Sequence, residues 1–410
     1  LPTEPIETPA PRLSLCLATY NRARYLDRYL THHLTALEAS GLDYELVVSD
    51  NCSTDETPQI LARYAGLYPR MRVARQPRNV GAYPNILTTL HQARGEVVVS
   101  IADDDMAIPD QLFAYVRRMI DDPALVMIQA PWFLTDEAKG GAVAGKFYHL
   151  EGESRFEQGA YGACLVFAIE NHVFPECWLM RRSVLPGIAG PVPRFVFSFF
   201  WMLANALAKG DVLFCPEPHV AATVASWSGG QVGVGEAMES WDVYRGGLEW
   251  LASLARQRNP DTFADGLAVG GAIQVFVNER MAVAARLQAN GGNWANAYQL
   301  LRRLYAYGAT PEVGFDANDV AVLAALETAL LECAQLGASQ IVVGQGVAEH
   351  VLSRMNPIEG ARVIRVDGVR PDDVRRAYCD IGVETHPSMR EQDFAYDITP
   401  GMDRFPLFSA

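Results

Sequence analysis

Residues 97–106 read VVVSIADDDM, an apolar run that ends in three consecutive aspartates. A continuous apolar run of this length is the pattern of a strand buried on both faces of a parallel sheet. Taking three adjacent carboxylates out of water without counter-charge is costly. The run is therefore either a solvated acidic turn or the seat of a divalent cation at the carboxyl end of a strand. Its neighbours decide between the two.

LSLCLATYN (13–21), YELVVSD (44–50) and MRVARQP (71–77) read as three further strands. Between the four strands lie helical patterns at 24–40, 53–65 and 82–93. In the first, Leu26, Leu30, Leu34 and Leu37 keep helical spacing and Gly41 closes the helix. Strands alternating with helices predict right-handed βαβ units and a parallel sheet. Ligands of such sheets bind beyond the carboxyl ends of the strands. Three of those ends carry polar clusters: Thr19-Tyr20-Asn21, Asp50-Asn51 and Asp103-Asp104-Asp105. One acidic run is weak evidence, but three strand ends along one edge favour the cation.

The segments LATYNRARYL, ELVVSDNCSTDETPQIL, RNVGAYPNI and GEVVVSIADDDM, in this order, resemble the nucleotide-sugar half of family 2 glycosyltransferases. The resemblance is strong over residues 12–120 and weakens toward residue 225. It implies an α/β GT-A fold, a mostly parallel sheet between helices, that binds a UDP- or dTDP-sugar with Mn²⁺ or Mg²⁺. Position by position, Thr19 and Tyr20, with Asn21 beside them, match the segment lining the base pocket. Asp50 matches the aspartate that accepts a hydrogen bond from a uracil-type base. Arg78 and Asn79 precede Gly81 in the loop facing the nucleotide. Asp103 and Asp105 match the ends of the D-x-D motif around Asp104, Asp103 near the ribose and cation and Asp105 on the cation. A hard cation prefers carboxylate oxygen and makes a triple aspartate tolerable.

The acceptor half departs from the family. The family's acidic pair, which supplies the general base, falls near Ser198 and Phe199, neither of them a base. Its histidine after the PEP strand has no counterpart in Ser226-Trp227-Ser228-Gly229-Gly230. An inverting transfer still needs a base, because a sugar hydroxyl is a poor nucleophile. Glu176, His172 and Glu170 are the candidates, with Glu176, between Pro175 and Cys177, preferred because partial burial would raise its pKa. The competing reading makes Glu176 a glutamate paired with Arg181 or Arg182. The glycine-rich stretch 134–154 is expected to be an excursion loop near the site.

Composition sets the limits. At 410 residues, two or three domains are expected. A net charge of −14 argues against a nucleic-acid or anionic-membrane surface. The 7 cysteines stand singly with no C-x-x-C pair, which fits reduced thiols in a cytoplasm rather than a zinc site or a disulfide framework. FVFSFFWMLANALA (195–208), with Ser198 and Asn205 inside it, reads as a buried helix and not a membrane span.

The expected organisation is a flexible arm (1–11), the transferase domain (12–230), a helical subdomain (231–337) and a small α/β element (338–410). The G-x-G at 344–346 is too short for a dinucleotide fingerprint. The C-terminal region is expected to cover the acceptor pocket or to make a homo-oligomer contact. The sequence does not identify the acceptor: an antibiotic-type small molecule and a surface-glycan intermediate both stay open. Two other functions stay open: a sugar-nucleotidyltransferase, whose basic glycine-rich first loop ATYNRARYL lacks, and a non-catalytic nucleotide-sugar-binding protein.

Overall fold

The computed structural model describes residues 10–187, 196–225, 234–239, 241–260, 266–309, 314–335, 340–344, 349–357, 362–365, 376–380 and 394–397. Most of the expected arm, the segment Ser226–Gly230 and Gly346 of the G-x-G lie outside these residues.

The chain forms two compact units: residues 1–233 with 242–274, and residues 234–241 with 275–410. The first begins β1 (Leu13–Thr19), α1 (Ala23–Ala39), β2 (Tyr44–Asp50), α2 (Thr57–Leu67), β3 (Met71–Arg75), α3 (Ala82–Gln92) and β4 (Val97–Ser100). It continues through β5 (Met106–Ala107), α4 (Pro109–Asp121), β6 (Leu125–Gln129), β7 (Phe133–Asp136), β8 (Ala142–Lys146) and β9 (Ser154–Phe156). Next come α5 (Tyr161–Glu170), β10 (Trp178–Arg181), α6 (Ser198–Lys209), β11 (Asp211–Phe214) and β12 (Val220–Ala225).

An eight-stranded sheet runs in the order β3-β2-β1-β4-β10-β6-β11-β9. The first four strands are mutually parallel, as the alternating pattern predicts. β10 enters antiparallel between β4 and β6. Every residue of β2 is buried, and β1 is buried except at Ala18. This is why both strands read as largely apolar, with Leu15-Cys16-Leu17 and Leu46-Val47-Val48 at their centres. A second sheet, β5-β12-β7-β8, lies beside the acidic run. The stretch expected as an irregular excursion loop thus contains an antiparallel pair, β7 with β8.

The first segment of the first unit ends at residue 233, close to the boundary expected near residue 230, and residues 242–274 return to that unit. In α8 (Trp241–Arg258), Tyr244 packs edge-on against Phe174 and Phe197, both rings 4.5 Å away. A Cβ at Gly247 would stand 2.6 Å from the Phe200 ring. These aromatic contacts draw α8 into the first unit, and the division falls within α9 (Gly266–Asn290). The second unit holds α7 (Val234–Glu239), α10 (Trp294–Ala306), α11 (Ala317–Gln335) and α12 (Glu349–Leu352). It also holds a parallel sheet of β13 (Gln340–Val343), β14 (Arg362–Arg365), β15 (Arg376–Asp380) and β16 (Phe394–Asp397). The expected helical and α/β pieces therefore share one unit.

The amino edge of the large sheet is stapled by Glu45. Its carboxylate accepts from Ser14 Oγ of β1, the Arg94 amide and Arg72 Nη1 of β3, each at 2.6 Å. Gly95 N–H closes the ring by donating to Ser14 Oγ at 2.7 Å. Burial raises the carboxyl's pKa, but these donors outweigh it and hold the pKa below its ordinary value. Glu45→Leu is expected to lower the unfolding free energy by roughly 2–4 kcal/mol in urea titrations. The native pKa is depressed, so the wild type keeps this stability above the ordinary carboxylate range. It loses it as pH falls through the depressed value, a slope the variant should lack.

Candidate nucleotide and cation site

The in-register pairs Thr19 with Asp50 and Asp50 with Arg75 put the ends of β1, β2 and β3 in line. β4 ends beside them at Ser100. The three polar clusters therefore share one edge, as expected. Because β10 is antiparallel, its beginning lies at this same edge, with Glu176 two residues before it.

The acidic turn closes with Asp105 N–H donating to Ala102 O at 3.1 Å. Asp103 and Asp104 are buried and Asp105 is half-buried. Thr19 Oγ1 donates to Asp103 Oδ2 at 2.7 Å. Arg22 sets Nε 3.2 Å from Asp103 Oδ1 and Nη2 3.6 Å from Asp104 Oδ2. From β12, Thr223 N–H donates to Asp105 Oδ1 at 2.9 Å and Thr223 Oγ1 to Asp104 O at 2.7 Å. Burial pushes the Asp103 carboxyl up to about 6, against the pull of Arg22 and Thr19. Burial and then Asp104 push Asp105 up to about 8, with Asp103 and Glu137 adding to it. Glu137, on the turn after β7, is itself buried and paired with Arg28.

Asp104 Oδ2 accepts no hydrogen bond. Among the described residues, no group of three His, Cys, Asp or Glu side chains is arranged to hold a metal ion. The turn offers hard oxygen donors in surplus over the cations around them. That fits a divalent ion completed by phosphate oxygens and water, as Mg²⁺-type ions are commonly bound. It does not fit a structural metal enclosed by protein.

Beside the turn, Asp50 is buried, and its Oδ1 accepts from Ser53 N–H at 3.0 Å. Its Oδ2 lies 3.2 Å from Arg75 Nη1 without an aligned hydrogen bond and accepts none. Asn51 fixes the next loop: its Nδ2 donates to Asn79 Oδ1 at 2.9 Å, and its Oδ1 accepts from Val80 N–H at 2.9 Å. Gly81 there has φ +93°, a conformation that favours glycine. Tyr20 and Arg78 are exposed. Asn21, at φ 53°, accepts from Thr54 N–H at 2.8 Å. The first amides of α1 are capped from the facing loop, Arg22 by Thr57 at 3.0 Å and Ala23 by Asp55 at 3.1 Å.

On the acceptor side, Glu176 is half-buried. Burial drives the neighbouring Cys177 thiol far up, with Glu176 and Asp105 adding to it. Both carboxylates thus act on one thiol. His172 follows α5 at φ 49°, a turn of the chain at the helix end, and Glu170 is exposed. Ser198 opens α6, and its hydroxyl opposes the effect of burial on the Tyr83 phenol of α3. The position expected for a base is therefore near the edge but carries no base.

Sequence reading missed Asn85 and Thr223. Asn85 Oδ1 accepts from Ser49 Oγ at 2.7 Å, and its Nδ2 donates to Ser49 O at 2.9 Å and Thr19 O at 3.4 Å. An asparagine on the sheet-facing side of an amphipathic helix was the available signal. Asn85→Leu, similar in shape, should lower stability by roughly 1–3 kcal/mol in thermal or urea unfolding.

Residues 14–188 match the model of Glycosyl transferase family 2. A curated uncharacterized protein of Mycobacterium tuberculosis is 29% identical over 233 residues, covering 52% of this chain and 69% of that protein. The abequosyltransferase RfbV of Salmonella typhimurium is 30% identical over 130 residues, covering 32% of this chain and 37% of its own length. The crystal structure of S. aureus TarS 1-349 in complex with UDP-GlcNAc superposes with TM-score 0.47 at 16% identity, covering 79% of this chain and 87% of that one. Residues 14–188 thus resemble a family 2 glycosyltransferase domain, set in a mixed α/β architecture with a large sheet.

Proposed function

We propose that the protein transfers a sugar from a uridine or thymidine diphosphate donor to a hydroxyl of a small-molecule or glycan acceptor, with inversion and with a divalent cation at the acidic turn. The observation that carries this reading is the surplus of buried carboxylate oxygen at one strand edge, Asp50 Oδ2 and Asp104 Oδ2 both lacking a hydrogen-bond donor. Asp50 accepts the imide N–H of the base, and Asn51 shapes the loop that carries Arg78 and Asn79. Asp103 and Asp105 would hold the cation. The cation, when bound, neutralises charge on the diphosphate as it leaves.

Glu176 takes the proton of the acceptor hydroxyl as that oxygen attacks the anomeric carbon. The bond from that carbon to the diphosphate breaks with its electron pair going to the nucleotide. What supports Glu176 is its place at the carboxyl edge, where it acts on the same thiol as Asp105.

UDP should bind more tightly with Mn²⁺ than with EDTA in calorimetry, and more tightly than GDP. Asp105→Asn should abolish the Mn²⁺-dependent part. Equal affinity in all these conditions would overturn the cation, and preference for GDP would overturn Asp50. Glu176→Gln should reduce donor turnover with a working acceptor by ~10²–10⁴-fold while leaving UDP affinity within about two-fold. Near-normal turnover at saturating substrates would move the base to another residue.

A further inference from the structure

Helix α1 buries leucines at Leu26, Leu30, Leu34 and Leu37, yet it also presents a polar stripe inward. Tyr29, His32 and His33 stand at i, i+3 and i+4, so they share one face. Tyr29 Oη donates to Ile101 O at 3.2 Å. His33 Nε2 accepts from Ala107 N–H at 3.1 Å, while its Nδ1 lies 2.8 Å from Tyr29 O and donates to it. His32 Nε2 donates to Ala107 O at 2.8 Å. Ile101 stands two residues before Asp103 and Ala107 two residues after Asp105, one on each side of the acidic turn. One helix face therefore grips both shoulders of Asp103–Asp105 through the backbone.

The grip is rigid. Tyr29 and His33 are essentially without solvent exposure, and their rings lie 3.9 Å apart. Burial drives the His33 imidazole down to about 3, so it is neutral, and its bond to Tyr29 O fixes which nitrogen accepts. The strand on the far side of the turn, β5, has only two residues and pairs with β12 at Met106 and Ala107. So short a strand cannot by itself hold three repelling carboxylates in place. Thr223 restrains Asp104 and Asp105 from β12, but it does not touch the shoulders.

We propose that Tyr29, His32 and His33 are positioning residues that hold the backbone on both sides of the acidic turn, keeping its carboxylates in the arrangement that receives a divalent cation with a nucleoside diphosphate. This rests on the cation-dependent donor binding described above. The three side chains act through the turn and do not touch the ligand. Groups that orient metal-binding side chains are typically worth 10–100-fold in metal affinity.

The test is calorimetry of the full chain with UDP, in Mn²⁺ and in EDTA, alongside thermal unfolding. His33→Leu should weaken Mn²⁺-dependent UDP binding by about ten-fold and leave the affinity in EDTA unchanged. His33→Gln, whose amide oxygen can accept from Ala107 N–H, should recover most of the loss. Tyr29→Phe keeps the packing and His32→Ala alters a half-buried position, so these two decide the matter should His33→Leu fail to fold. Each should show a smaller loss confined to the Mn²⁺ condition. Unchanged Mn²⁺-dependent affinity in both variants, or an equal loss in EDTA, would overturn the proposal. A wild type that binds UDP equally in Mn²⁺ and EDTA would instead overturn the cation reading, and the positioning role with it.

Discussion

Three adjacent carboxylates repel one another, and burial makes the repulsion stronger because the low local dielectric screens it less. The carboxyl edge of the sheet is organised around this repulsion. Arg22 supplies one positive charge to Asp103 and Asp104. Thr19 and Thr223 supply hydrogen bonds. Helix α1 restrains the backbone at Ile101 and Ala107. Even with these partners, burial first and the neighbouring carboxylates after it keep the Asp103 and Asp105 carboxyls pushed upward.

Each partner arrives from a different part of the chain because the strands are in register. Thr19 reaches Asp103 only if β1 and β4 keep the register that pairs Cys16 with Ser100, and Asp50 faces Arg75 only if β2 and β3 end together. A slip of one residue would turn alternate side chains to the opposite face. The Glu45 staple opposes such slips from the other edge, tying β1, β2 and β3 together before the strands begin their run toward the site.

The first four strands and their helices were legible because each carries its own pattern: a continuous apolar run, or leucines at helical spacing. The clustering of Thr19, Asp50 and Asp103 at one edge follows from that pattern and from parallel topology. The second sheet was not legible. β5 has two residues, too few for any periodicity, and its pairing with β12 joins Ala107 to the distant Val220. The polar stripe of α1 shows a related limit: spacing puts Tyr29, His32 and His33 on one face, but not what that face meets. The return of α8 to the first unit was not legible either, because it rests on Tyr244 and Gly247 fitting against Phe174, Phe197 and Phe200.

The two edges of the sheet use the same kinds of residue to opposite effect. At the amino edge, Glu45 meets donors at both oxygens, and its carboxyl is held below the ordinary range. Such a group stabilises the fold and leaves neither carboxylate oxygen without a donor. At the carboxyl edge, Asp50 and Asp104 each keep a buried oxygen without a donor, and the neighbouring carboxyls are driven upward. A buried acceptor left short of partners costs stability, and proteins retain such local inconsistencies chiefly at functional sites. The difference in hydrogen-bond satisfaction, more than the number of acidic residues, distinguishes the candidate binding edge from the edge that holds the sheet together.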